Sequence, residues 1–237
     1  MPAASLDVEA LSAGYGQTRV IENISFSVRA GGRLAVFGRN GVGKTTLLAT
    51  LMGLSTAYTG SIMLNAADIS GQRTSARAVA GLGYVPQTRD IFTSLTVEEN
   101  LFVGLKGRSR SALREAYQLF PRLQERRRNL GSQLSGGEQQ MLSIARTLLG
   151  QPEVLLLDEP LEGLAPVICD EIMSGLVTLA RDSGATIVLV EQQIERALDF
   201  AEDVLLMERG RIGWSGSGAE LRSDHSLIDR YIGVGLH

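Results

Sequence analysis

Three groups of residues in this 237-residue chain have the types and spacing to handle phosphate. In GRNGVGKTT, Gly38, Gly41, Gly43, Lys44 and Thr45 follow the spacing GxxxxGK[ST], between a strand-like run, GGRLAVFG, and an apolar helix-like run, LLATLMGL. Glycines let successive backbone N–H groups face a phosphate at a helix N-terminus, Lys44 neutralises its oxygens, and the Thr45 hydroxyl suits Mg²⁺. Asn40 and Thr46 lie within the same stretch and complete the expected contact set. The apolar run VLLL ends in Asp158 and Glu159, at the carboxyl end of a buried strand, where open α/β sheets hold ligands. Asp158 is the expected metal partner, and Glu159 is placed to accept a proton from an attacking water. Ser135, Gly136 and Gly137 of LSGGEQQ precede another helix-like run and offer a second anion-binding helix end.

Each group also has a plainer reading: a flexible glycine turn, a strand-end acid in an ion pair, an ordinary helix cap. The strand before and the helix after the first loop favour phosphate. One ATP has one γ-phosphate, and the LSGGEQQ loop lies beyond a helical stretch, so it is expected to close on a partner subunit's nucleotide.

Positioning such groups takes an alternating chain. LDVEALSAGYG and IENISFSV alternate as half-buried antiparallel strands do, and SIMLNAADI and GLGYVPQ read as further strands. Thr96 and Glu99 form a capping box ahead of ENLFVGL, and in SALREAYQLF the residues Leu113, Ala116, Tyr117 and Phe120 recur at helical spacing, predicting a helix with one apolar face. EVLLLDEP, a helix from about Val167 to Asp182, ATIVLVEQQ, another helix and DVLLMERGRIGWSG follow, the last as a hairpin carrying Trp214, with a further capping box at Ser217 and Glu220. The expected fold is α/β: a mixed, mainly parallel sheet, an N-terminal antiparallel β-subdomain and a helical subdomain over residues 88–150, all within one domain, 1–237.

The order GRNGVGKTT, LSGGEQQ, VLLLDEP resembles the ATP-binding cassette (ABC) family of P-loop ATPases, and the resemblance covers nearly the whole chain. It implies ATP and Mg²⁺ as ligands and a head-to-tail dimer that buries two ATP molecules. It also implies that Tyr15 stacks on adenine, that Gln87 touches Mg²⁺ and the attacking water, and that LEGLAP crosses to the partner. The family usually has a small polar residue where Leu161 stands. Where it usually has a switch histidine, this chain has Gln192, which can donate to a phosphate oxygen but cannot titrate near neutrality. Outside the resemblance, Tyr15 also fits as a core tyrosine and Gln87 as a turn residue. The expected catalytic set is Glu159, Gln192, Gln87 and Lys44, and the metal set Thr45, Gln87 and Asp158.

LFPRLQERR, VEQQ and the terminal RYIG resemble ATPases of branched-chain amino-acid uptake systems, whose relatives serve urea and amides. That implies a second ATPase subunit, preferentially a different chain, membrane permeases, and a periplasmic solute-binding protein acting through them. Net charge is −3, with no basic stripe, so no nucleic-acid partner is expected. The N-terminus lacks a secretory pattern, no run of about 18 apolar residues exists, and Cys169 has no partner for a disulfide. The expected location is the cytoplasmic face of the cell membrane, held there peripherally. A soluble cassette ATPase working on nucleic acid, ribosomes or cluster assembly is the alternative, and a nucleotide sensor without sustained turnover a third. Cys169 is expected to be a packed thiol, His225 and His237 surface groups, and Glu125 to Arg128 a solvated helix face.

Overall fold

In the computed structural model, which describes residues 3–233, the opening alternation forms an antiparallel sheet. Strand β1 (Leu6–Tyr15) pairs with β2 (Thr18–Val28) on one side and with β4 (Thr56–Leu64) on the other, and β4 carries the short β5 (Ala67–Asp68). The second sheet has the order β10–β9–β3–β8–β7–β6. Its members are β3 (Arg33–Gly38), β6 (Leu82–Val85), β7 (Val154–Asp158), β8 (Thr186–Val190), β9 (Asp203–Glu208) and β10 (Arg211–Ser217). All adjacent pairs are parallel except β9 with β10, the expected hairpin that carries Trp214. Parallel pairing puts the carboxyl ends of β3, β6, β7 and β8 on one edge, so Gly38, Val85, Asp158 and Val190 lead into neighbouring loops.

Period-two burial splits these strands between two cores. Ala35, Phe37, Leu155, Leu157, Ile187 and Leu189 face helix α7 (Pro166–Ser183) and the helices inserted between β6 and β7. Leu34, Val36, Val154, Leu156, Val188 and Val190 face helix α1 (Lys44–Met52) and the antiparallel sheet. Arg77, on α2 (Thr74–Ala80), holds the far end of α1 by donating to the carbonyls of Thr50 at 2.7 Å and Leu51 at 2.8 Å.

The insert comprises α3 (Val97–Gly104), α4 (Leu113–Leu119), α5 (Pro121–Glu125) and α6 (Gly136–Leu149). Leu101, Phe120, Met141 and Ile144 share the core of the sheet's inner face. Both predicted capping boxes, Thr96 with Glu99 and Ser217 with Glu220, are present. The helix expected in SALREAYQLF is present as α4. A 3₁₀ turn covers Arg110–Ala112, and α4 stops at Phe120, whose φ of −132° and ψ of 86° are the extended geometry that a following proline imposes. Leu113, Ala116 and Phe120 are buried as the spacing required, while Tyr117 is half-buried. Glu125 ends α5, so Arg126 to Arg128 form an exposed turn rather than a helix face. Helix α8 (Ile194–Phe200) joins β8 to β9, and α9 (Gly218–Ser223) and α10 (His225–Tyr231) follow the hairpin. Cys169 is buried on α7 and His225 exposed, while His237 lies outside the described residues.

Candidate active site

The phosphate loop joins β3 to α1 through Gly43, whose φ of 106° caps the helix. A Cβ there would lie 2.6 Å from Ile21 Cγ2 in a conformation L residues rarely adopt, so the position requires glycine. Leu47 N–H makes the first helical bond, to Gly43 O at 2.9 Å, and the N–H groups before it face the loop as an anion-binding end. Lys44 is 4% exposed and curls over its own loop. Its Nζ donates to Gly38 O at 2.9 Å and Arg39 O at 3.3 Å and pairs with Glu159 Oε1 at 3.3 Å.

At the end of β7, Asp158 is fully buried. It accepts from Thr45 Oγ1 at 3.1 Å and from the Tyr84 hydroxyl at 3.2 Å. Burial pushes the Asp158 carboxyl above its ordinary range despite those two donors, and burial followed by the Asp158 charge raises Tyr84 as well. Glu159 follows with φ 45°, a sparsely populated backbone that costs on the order of 1–3 kcal/mol and clusters at functional sites. Its N–H donates to Val190 O at 2.9 Å, tying it to β8, and its Oε2 accepts from Gln192 Nε2 at 2.6 Å. Glu159 therefore stands between a cation and an amide.

Lys44, Thr45, Glu159 and Gln192 line one cleft of about 180 Å³ together with Asn40, Gly41, Gln87 and Glu162, while Asp158, Gly38 and Gly43 lie outside the lining, Asp158 buried behind the Thr45 hydroxyl that it accepts from. Pockets that enclose a whole small ligand usually measure roughly 300–1,000 Å³. This one has the size and donors for phosphate groups rather than a complete nucleotide. Residues 21–162, more than half of the chain, match the family described as ABC transporter. The chain belongs to that family. As a member it is a nucleotide-binding ATPase.

The cassette is 38% identical, over 96% of its length and 99% of the relative's, to the high-affinity branched-chain amino acid transport ATP-binding protein BraG of Pseudomonas aeruginosa. It is 35% identical, over 94% and 97%, to the probable branched-chain amino acid transport ATP-binding protein LivF of Archaeoglobus fulgidus. It is also 32% identical, over 96% and 97%, to the lipopolysaccharide export system ATP-binding protein LptB of Haemophilus influenzae. A solved nucleotide-free ATP-binding cassette from an ABC transporter superposes with a TM-score of 0.83 over 98% of this chain and 99% of that one; at 23% identity this speaks to the fold alone.

Not every expected residue of the ABC ATPase joins the cleft. Thr46 is buried and outside its lining. Tyr15 ends β1 half-exposed, which removes the core-tyrosine reading and leaves its ring free. Ser135, Gly136 and Gly137 start α6 away from the cleft lining. Ser135 is also an ordinary cap: its Oγ accepts from Glu138 N at 3.3 Å while Glu138 Oε2 accepts from Ser135 N at 2.8 Å. Leu161 is fully buried, so its side chain belongs to the core and offers no contact surface. Gln87 stands in the turn after β6, where its amide donates to Glu162.

Three functional neighbours were missed in the sequence: Tyr84, Glu162 and Glu191. Tyr84 reaches Asp158 because β6 lies beside β7, a neighbour relation that no local pattern encodes. Glu191, 2% exposed, accepts backbone N–H groups from two separate loops. Its one signal was a charge directly after the apolar run TIVLV.

Proposed function

We propose that this ABC ATPase hydrolyses Mg²⁺-ATP in the cleft and powers a membrane importer for branched-chain amino acids or related small amides and urea. The observation that carries the catalytic reading is Glu159, held by Lys44 on one oxygen and by Gln192 on the other, above the phosphate loop. Arriving phosphates draw Lys44 onto their oxygens, which frees one Glu159 oxygen to take a proton from the attacking water. Gln192 keeps that carboxylate oriented and donates to phosphate when it lets go. Gln87 turns from Glu162 toward the water, and Tyr15 supplies a stacking face for adenine.

Mg²⁺ suits the donors on hand. Thr45 hydroxyl, Asp158 carboxylate and the Gln87 amide oxygen are hard ligands, and Asp158 is a buried carboxylate whose hydrogen-bond donors are only neutral hydroxyls. Among the described residues no group of three or more His, Cys, Asp or Glu forms a cage. That fits an ion held mainly by phosphates and water. When bound it neutralises charge on the phosphates.

Ser135, Gly136 and Gly137 would close on the nucleotide of a second ATPase subunit, preferentially a different chain, completing a pocket that each subunit half supplies. Residues 88–150 would act as a helical lever. A groove of about 380 Å³ beside them, exposing Leu54, Phe92 and Val103, is the expected seat of a permease helix. No helix among the described residues is long and apolar enough to cross a membrane; the transport reading gives the span to separate membrane partners, with a periplasmic solute-binding protein acting through them. The location that follows is peripheral, on the cytoplasmic face. Import is preferred over export because BraG and LivF are more similar to the chain than LptB.

Co-purification with the membrane partners, followed by a solute screen for stimulated phosphate release, tests this reading. Stimulation by binding protein loaded with leucine, isoleucine or valine is expected. Stimulation by a lipopolysaccharide alone would replace import with export, and a full rate without any partner would remove the transport reading.

A further inference from the structure

We infer that Glu191 is a positioning residue for hydrolysis, a buried carboxylate that latches the switch glutamine to the loop after Glu159. The inference rests on the catalytic reading of Glu159 and Gln192. Glu191 directly follows β8 at the edge that carries Asp158 and Glu159, with its own N–H donating to Val36 O at 3.3 Å in β3. One side-chain oxygen accepts Leu161 N–H at 2.8 Å; the other accepts Gln192 N–H at 2.8 Å and Gln193 N–H at 3.2 Å. Three backbone donors from two loops thus converge on one charge in a site shielded from water. Charge-assisted bonds of this kind are about twice as strong as neutral ones, and the buried acceptor cannot find water in their place.

The consequence reaches the reacting groups through geometry. Gln192 must hold its backbone in place to keep its amide on Glu159 at 2.6 Å, and the Leu161 backbone must stay fixed to keep Glu162 beside Gln87. Gln193 strengthens the same junction, donating from Nε2 to Leu161 O at 3.5 Å. Glu191 is buried and lies outside the cleft lining. It sets where Gln192 stands.

The test is Glu191→Gln, which preserves size but replaces one acceptor oxygen with an NH₂ donor. However the amide turns, either Leu161 N–H or the pair at Gln192 and Gln193 faces a donor. With ATP and Mg²⁺, the full chain in its active assembly should lose about tenfold or more in kcat, with KM for ATP changed less than about twofold. Because Glu191 acts through Gln192, adding Gln192→Ala should slow the enzyme little beyond the slower single variant.

Multiplicative losses in the double variant, a wild-type kcat in Glu191→Gln, or a KM that rises while kcat stays constant would each overturn the proposal. If Glu191→Gln does not fold, Gln193→Pro against Gln193→Ala decides. Gln193 has φ −80°, which proline accepts, and only proline removes the N–H. A lower kcat for the proline variant at equal KM supports the latch, and equal rates overturn it. Glu159→Gln run alongside separates the failures: normal turnover there refutes the catalytic reading, whereas a slow Glu159→Gln beside a normal Glu191→Gln refutes the latch alone.

Discussion

Gln192 donates its side-chain amide to Glu159 at 2.6 Å, while the opposite oxygen of the same carboxylate lies 3.3 Å from Lys44 Nζ. A carboxylate braced on both sides is held in orientation by the chain's own Lys44 and Gln192. Substituting Glu159→Gln removes the proton acceptor but preserves shape, so kcat should fall about 10²- to 10⁴-fold with ATP binding retained. Phosphate release read beside the affinity for a fluorescent ATP analogue checks this. Near-normal hydrolysis would reassign the base.

An amide in the switch position has a pH consequence. Gln192 has no proton to gain or lose between pH 6 and 8.5, whereas an imidazole there would titrate at or above about 6.5 beside a carboxylate. Gln192→His should therefore introduce an acidic limb in kcat as His⁺ pairs with Glu159 and holds it back. The native enzyme should show no such limb from this position, and Gln192→Ala should be about tenfold slower at every pH. Superimposable profiles for the native and histidine enzymes would separate position 192 from the chemistry.

Burial raises the Asp158 carboxyl above its unfolded value near 3.8. A raised acid favours the fold fully only below the unfolded value, and that contribution is lost as pH climbs through the folded one. At pH 7.5, without nucleotide and in chelator, burial of Asp158 therefore works against the fold relative to acid conditions, and Asp158→Asn should melt at a higher temperature than the native protein. The gap should narrow as pH is lowered toward 5. Thermal melts across that range test the sign, and a gap that widens on acidification would contradict it. The same substitution should abolish Mg²⁺-dependent turnover, setting stability against function at one residue.

The catalytic edge was legible because its signals are local. A buried strand ends where a charge or glycine begins, as at Gly38 and Asp158, and parallel pairing then gathers those ends. Tyr84 and Glu191 were illegible because their partners depend on strand order and on a loop thirty residues away. The apolar spacing in SALREAYQLF reads as a helix and α4 is one, while Pro121 sets its end by forcing Phe120 out of helical geometry. Ser135 shows both readings holding together, since a helix cap and an anion-binding end use the same backbone donors.

That overlap allows a test of the shared pocket. Ser135→Ala removes a cap and should cost about 1 kcal/mol of stability, so a loss of activity there would not separate folding from phosphate binding. Ser135→Asp separates them. Aspartate caps as well as serine and suits the helix dipole, so the melting temperature should hold, but its charge would face a partner's phosphates. Since Ser135 does not line its own cleft, binding of ATP to the same chain should be unchanged. In a Glu159→Gln background, which preserves bound ATP, the added Ser135→Asp should prevent nucleotide-dependent association with a second copy or with a sister ATPase, as measured by light scattering. Lys44→Ala should fail earlier, losing ATP binding and association together. If Ser135→Asp instead weakened ATP binding by the isolated chain, the LSGGEQQ loop would have to act within one subunit, and the two-subunit pocket would be wrong.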